Sequence, residues 1–189
     1  KIDYQTFAAS ANQLLVHKRL SADFPEAKTY SCDDNDVDYV ANSIRVQDSL
    51  FYFEVKYQKE LLDKFNTQLP GKHNIENALA AISVAHVLGL NMDSVAHAVA
   101  SFRGVNRRFD RVYESASVRL VDDYAHHPVE IDAAISAARD LYPNTKITVL
   151  FQPHLFSRTR DLEDDFVKSL DNADEVVLLP IYPAREKPI

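Results

Sequence analysis

A single cysteine, Cys32, stands in 189 residues, so no internal disulfide can form, and no Cys/His tetrad has zinc spacing. A stapled secreted domain and a zinc module are thereby set aside, and a reducing, cytoplasmic setting is expected. Glycine is scarce too: Gly71, Gly89 and Gly104 are all there is. Lys72 follows Gly71, but a phosphate loop of the P-loop type needs a further glycine five positions earlier and Ser or Thr after the lysine. Asn66 and His73 occupy those places, so the chain is not expected to cradle a triphosphate itself. Positive charge is in deficit, with 21 Lys+Arg against 28 Asp+Glu and a net charge of −7. Nucleic-acid and membrane-surface binding both need a cationic face, and neither is expected. No apolar run approaches the about 20 residues that span a bilayer, and Lys1-Ile2-Asp3-Tyr4 does not read as a secretory leader.

What is present is an ordinary globular composition, 46% hydrophobic and 26% charged, sufficient for one large core or two small ones. Residues 4–20 carry Phe7, Ala11, Leu14 and Leu15 at helical intervals and predict an amphipathic helix. Strand-like runs follow at 29–32, 43–47 and 49–56, the last with Phe51 and Phe53 alternating. Between them, Asp33-Asp34-Asn35-Asp36 reads as a solvated turn. Residues 74–88 give the longest helical signal, with Ile75, Leu79 and Ile82 along one side and Gly89 ending it. A second helix is predicted over about 94–102, with Asn91 and Asp93 as capping candidates.

Beyond it, strand signals at 118–121, 146–151 and 175–179 alternate with helices at about 128–141 and 162–170. That alternation predicts an α/β fold whose C-terminal part is a Rossmann-like parallel sheet with helices on both faces, preceded by a partial mixed α/β domain. The join is placed near 110–113, giving domains 1–110 and 111–189. Three strands fall short of the usual four to six, so the second sheet reads as truncated.

In open parallel sheets ligands bind beyond the carboxyl ends of the strands. There the chain carries Asp122-Asp123-Tyr124-Ala125-His126-His127-Pro128 and Gln152-Pro153-His154-Leu155-Phe156-Ser157-Arg158. One such cluster reads as helix capping; two of them, with three histidines, two aspartates and an arginine, favour a site. The two segments are expected to open into one crevice. Asn74 and Asn77 lie three apart on a helix, and an amide offers the donor and acceptor that match an adenine edge; a plain N-cap with an exposed neighbour fits the spacing equally well. Arg103, Arg107, Arg108 and Arg111 could hold a phosphate or bridge two domains, with a solvated surface cluster as the competing reading. His73, His86 and His97 fall on helices and read as packed or solvated, and no metal ligand is assigned.

Taken together, Gly71-Lys72-His73-Asn74-Ile75-Glu76-Asn77-Ala78-Leu79-Ala80-Ala81, Asn106-Arg107-Arg108-Phe109, the 122–128 segment and Phe151-Gln152-Pro153-His154 with Ser157-Arg158-Thr159-Arg160-Asp161 resemble the Mur ligases. Their order and spacing are most similar to the branch that joins L-alanine to UDP-N-acetylmuramate. The resemblance implies an ATP-dependent acid–amino acid ligase of bacterial peptidoglycan synthesis working through an acyl phosphate. It implies Asn74 and Asn77 at the adenine, Arg108 at the nucleotide phosphates and Asp123 at the ribose. His154 and Arg158 would hold the amino acid, with Tyr124, His126 and His127 lining the same cleft. The lysine loop, the Mg2+ ligands and the UDP-sugar domain lie upstream in the family and are not among these residues. No residue here is therefore assigned as catalytic, and the isolated chain is expected to be inactive. Leu155 and Phe156 depart from the family pattern, which carries arginine and tyrosine there. A muropeptide-recycling ligase of the same superfamily and a non-catalytic binding module are the alternatives.

Overall fold

The computed structural model describes residues 2–187, which form two compact units, one through Phe102 and one from Arg103. The first opens with α1 (Ile2–Ala8). The helix expected to continue to residue 20 stops there: Ser10 Oγ donates to the Phe7 carbonyl, and the chain re-enters as strand β1 (Leu15–His17) followed by a 3-10 turn, Lys18–Leu20. Helical spacing of Leu14 and Leu15 was outweighed by burial of Val16 against the sheet, a tertiary gain no local pattern carries.

Strands β2 (Lys28–Ser31), β3 (Tyr39–Gln47), β4 (Leu50–Tyr57) and β5 (Glu60–Thr67) complete a five-stranded sheet in sequential order. It is parallel from β1 to β3 and antiparallel from β3 to β5. Two-residue turns close both hairpins, with φ positive at Asp48 and Ser49 and again at Gln58 and Lys59, the geometry that matches strand twist. β5 had no signal, because Glu60-Leu61-Leu62-Asp63-Lys64 is rich in helix formers and only Phe65 and Thr67 are buried.

On β4, Phe51, Phe53 and Val55 alternate inward, and the buried stripe Ile75, Leu79, Ile82 of α2 (Lys72–Val87) packs on that sheet. Gly89, at φ +72, ends the helix while the Leu90 amide reaches back to the Ala85 carbonyl, a left-handed cap that glycine adopts freely. Helix α3 (Met92–Ser101), capped by the Asn91 side chain on the Ser94 amide, packs on β5.

The second unit begins with β6 (Asp110–Glu114), antiparallel to β7 (Arg119–Asp122). Helix α4 (Pro128–Leu141), strand β8 (Thr148–Phe151), helices α5 (Phe156–Asp161) and α6 (Glu163–Leu170) and strand β9 (Glu175–Leu178) follow. The α/β class is as expected. The parallel pairing, however, is made by β8 and β9 alone, while β7 pairs with the unanticipated β6 instead of joining them. Ile131 and Ile135 of α4, Phe151 of β8, and Phe166 and Leu170 of α6 form the core, with Ala125 and Val149 against it. Among the described residues no helix is long and apolar enough to cross a membrane.

Candidate functional site

In the first unit, the start of α2 gathers polar groups around the turn at Pro70-Gly71. Gly71, at φ +90, is the N-cap and supplies no side chain. Asn74 therefore stands inside the helix, not at its cap, and its Nδ2 donates to the Pro70 carbonyl at 2.7 Å. One amide N–H and Oδ1 remain to it. Asn77, one turn further on, is exposed. Lys72 forms an ion pair with Asp33, which brings the acidic turn after β2 to the same helix end. Ser31 Oγ shapes that turn by accepting from the amides of Asp33 and Asp34 at 3.0 and 3.1 Å. Burial first, and then Glu76, push the neighbouring Cys32 thiol up to about 12, so Cys32 is a packed thiol and not a nucleophile. His86 is likewise a packing residue, hydrogen-bonded through Nδ1 to the Tyr39 hydroxyl at 2.9 Å.

In the second unit, the Arg107–Phe109 turn and the segment after β7 are pinned together. The Phe109 amide donates to Asp123 Oδ2 at 2.8 Å and the Ala125 amide to Asp123 Oδ1 at 2.7 Å. The Tyr124 amide donates to the Arg107 carbonyl at 2.8 Å. Both Asp123 oxygens thus serve the backbone first, and only their second lone pairs face outward. Positive φ at Arg107 and Phe109 marks the tightness of this turn. The arginine pair is exposed, and each member has a carboxylate partner. Arg107 Nε pairs with Asp122 at 3.3 Å and its guanidinium lies 5.0 Å over the Tyr124 ring; Arg108 Nη1 pairs with Glu130 at 3.4 Å.

His126 and His127 diverge, as neighbours at a helix start must. His126 Nδ1 faces the Tyr124 carbonyl at 2.9 Å and Glu130 Oε2 at 3.3 Å. A carbonyl only accepts, so Nδ1 carries a proton and donates. His127 is the N-cap of α4, where Nδ1 accepts from the Val129 amide at 3.4 Å, and its neutral ring is therefore protonated at Nε2. Nδ1 thus donates on one histidine and accepts on its neighbour.

Glu130, which the sequence reading passed over, organises this cluster. Its Oε2 accepts from the His126 amide at 3.0 Å while Oε1 meets Arg108. Burial alone would raise its carboxyl, but the His126 amide, the His126 ring and the Arg108 guanidinium outweigh that and hold it below the ordinary carboxylate range. A glutamate three residues after the N-cap His127 has the spacing of a capping box, although its bond goes to the amide one residue before the cap. Because its folded value is depressed, its contribution is present above the unfolded carboxylate pKa and lost as pH falls through the folded one. Glu130→Gln should therefore cost about 0.5–1 kcal/mol at neutral pH and flatten the acid limb of stability, as read by urea unfolding at pH 7 and pH 4.

The second polar segment leaves β8. Phe151 and Ala125 contribute to one core cluster, so the chain leaves that core both toward Pro128 and toward Arg158. His154 stacks on Tyr182, with centroids 5.6 Å apart. Arg158 sits in the first turn of α5, and its Nη1 is one of two buried side-chain nitrogen or oxygen atoms, with Asn42 Oδ1, that find no partner among the described residues. A buried guanidinium nitrogen left unpaired costs about 1–3 kcal/mol or more, and a carboxylate is the ligand that would satisfy it.

Two family models match the sequence: the Mur ligase middle domain over residues 7–85 and the Mur ligase, glutamate ligase domain over residues 107–188. A UDP-N-acetylmuramate–L-alanine ligase of Porphyromonas gingivalis is 45% identical over 174 residues, 92% of this chain and 38% of the relative. That of Flavobacterium johnsoniae is 42% identical over 188 residues, 100% of this chain and 41% of the relative. The crystal structure of UDP-N-acetylmuramate-alanine ligase from Thermotoga maritima superposes with a TM-score of 0.73 at 31% identity, covering 82% of this chain and 34% of that one. The chain spans about two fifths of the length of the curated relatives it matches.

Proposed function

The chain belongs to the Mur ligase family, and from that premise we propose that it is the part of a cytoplasmic, ATP-dependent ligase that joins L-alanine to UDP-N-acetylmuramate in peptidoglycan synthesis. The observation that carries the reading is the partnerless, buried Nη1 of Arg158, in the first turn of the helix that follows His154. A guanidinium presents a planar fork to a carboxylate, which fixes one end of an amino acid and leaves its amine free to attack. A carboxylate is a poor electrophile; ATP, when bound, supplies the phosphoryl group that turns the sugar-linked carboxylate into an acyl phosphate.

The roles of this chain's residues are then binding and orientation. Asn74 keeps one N–H and Oδ1 after its bond to Pro70, a donor and an acceptor for an adenine edge; Asn77 is its exposed neighbour on that helix. Arg108, half-neutralised by Glu130, keeps further N–H donors for nucleotide phosphates. Asp123 offers its outward lone pairs to the ribose hydroxyls. Tyr124, His126 and His127 line the amino-acid side, His127 as a donor at Nε2. Magnesium is assigned to no residue of this chain, and no step is derived through it.

The test is phosphate release from ATP. A gene product of the relatives' length should release phosphate only when UDP-N-acetylmuramate and L-alanine are both present, and the 189-residue chain alone should stay at background. Release stimulated by a muropeptide but not by L-alanine would overturn the substrate, and turnover by the 189-residue chain alone would overturn the division of roles.

A further inference from the structure

Beyond the ends of β8 and β9 the two segments stay side by side. The Leu179 amide donates to the Phe151 carbonyl at 2.9 Å, Gln152 Nε2 to the Pro180 carbonyl at 3.2 Å, and the Tyr182 amide to the Pro153 carbonyl at 2.8 Å. The Leu155 amide then donates to the Tyr182 carbonyl at 3.0 Å. Leu155 needs that support. It lies between His154 and Arg158 at φ +72 and ψ +133, a backbone conformation that residues with a Cβ rarely adopt and that persists only where surrounding contacts over-determine it. It is also the N-cap of α5, where its apolar side chain can accept nothing.

The six-residue helix that follows is too short to be stable by itself, and its cap comes from 29 residues away. Glu186 Oε2 accepts from the Ser157 amide at 2.9 Å, and Oε1 accepts from the Ser157 hydroxyl. The Ser157 hydroxyl foremost, then its amide, holds the Glu186 carboxyl below the ordinary carboxylate range, so the acceptor is ionised at neutral pH. A carboxylate at a helix start satisfies an orphan amide and complements the helix dipole.

We infer that residues 182–186 form a clamp on the segment bearing His154 and Arg158, with Glu186 as a positioning residue for amino-acid binding. Tyr182 fixes His154 by ring stacking and Leu155 by its carbonyl. Glu186 fixes the first turn of α5, from which Arg158 projects. The inference rests on the amino-acid role proposed above for His154 and Arg158, and it adds that their geometry is set from the far side of β9.

The experiment compares E186A and E186Q in the full-length gene product. E186A should raise the KM for L-alanine about 10- to 100-fold, the scale of misplacing a binding group by about an ångström, with the KM for ATP changed less than about twofold. E186Q, which keeps one carbonyl acceptor for the Ser157 amide, should recover most of the loss. Hydrogen exchange on the same variants should show faster exchange at residues 155–159 in E186A and unchanged protection in α4. Unchanged exchange at 155–159 overturns the clamp, whatever the kinetics. Faster exchange with an unchanged KM for L-alanine overturns the positioning role. Wild-type protein that ignores L-alanine would instead sink the functional reading, leaving exchange to decide the clamp.

Discussion

Replacing Arg158 by alanine is expected to lower kcat/KM for L-alanine by 100-fold or more while leaving the unliganded protein as stable as before, or more so. Truncating one member of a desolvated, hydrogen-bonded charge pair costs about 2–5 kcal/mol of binding, and about 1.4 kcal/mol is a factor of ten. The stability half follows from the same atom. Nη1 is buried with no partner among the described residues, so its removal relieves a desolvation cost instead of breaking a contact. Loss of function without loss of stability marks a residue held in place for a ligand. Arg158→Lys should recover little, since an ammonium cannot present two parallel donors. Steady-state kinetics with L-alanine varied, together with thermal unfolding of the apo protein, reads both halves. A fall in Tm with unchanged kcat/KM would mean that Arg158 is a packing residue.

Phe166→Ala should be the most damaging single change in the second unit. The ring is 5% exposed and lies 5.4 Å from that of Phe151 at the centre of a five-residue core. Emptying such a site costs about 3–5 kcal/mol, against about 5–15 kcal/mol for the whole stability of a typical domain. Urea unfolding should show the loss, and hydrogen exchange should place it in α4 and α6. Phe7→Ala is the control: that ring is 74% exposed, and its removal should stay within about 0.5 kcal/mol. Equal effects from the two substitutions would mean that the core is misplaced.

Much of the helical framework was legible along the chain. The four-three spacing of Ile75, Leu79 and Ile82 and the proline at the start of α4 are local signals, and both helices stand where they were expected, α2 beginning two residues earlier. The alternation of β4 was equally plain. By contrast β1, β5 and β6 went unread. Val16 is strand because it is buried, Glu60–Thr67 because β4 offers it a partner, and Asp110–Glu114 because β7 does.

The same division runs through the candidate site. Residue types and spacing picked out Asp123, His126, His127, His154 and Arg158, because their order along the chain is itself a pattern. They could not tell that both Asp123 oxygens accept backbone amides, that Nδ1 donates on one histidine and accepts on the next, or that Glu130 and Glu186 hold their neighbouring segments in place. Helical periodicity and capping act over three or four residues and are written in the string of letters. Strand partners, the proton position on an imidazole and the burial of one guanidinium nitrogen depend on groups up to tens of residues apart, and only the folded chain brings those together.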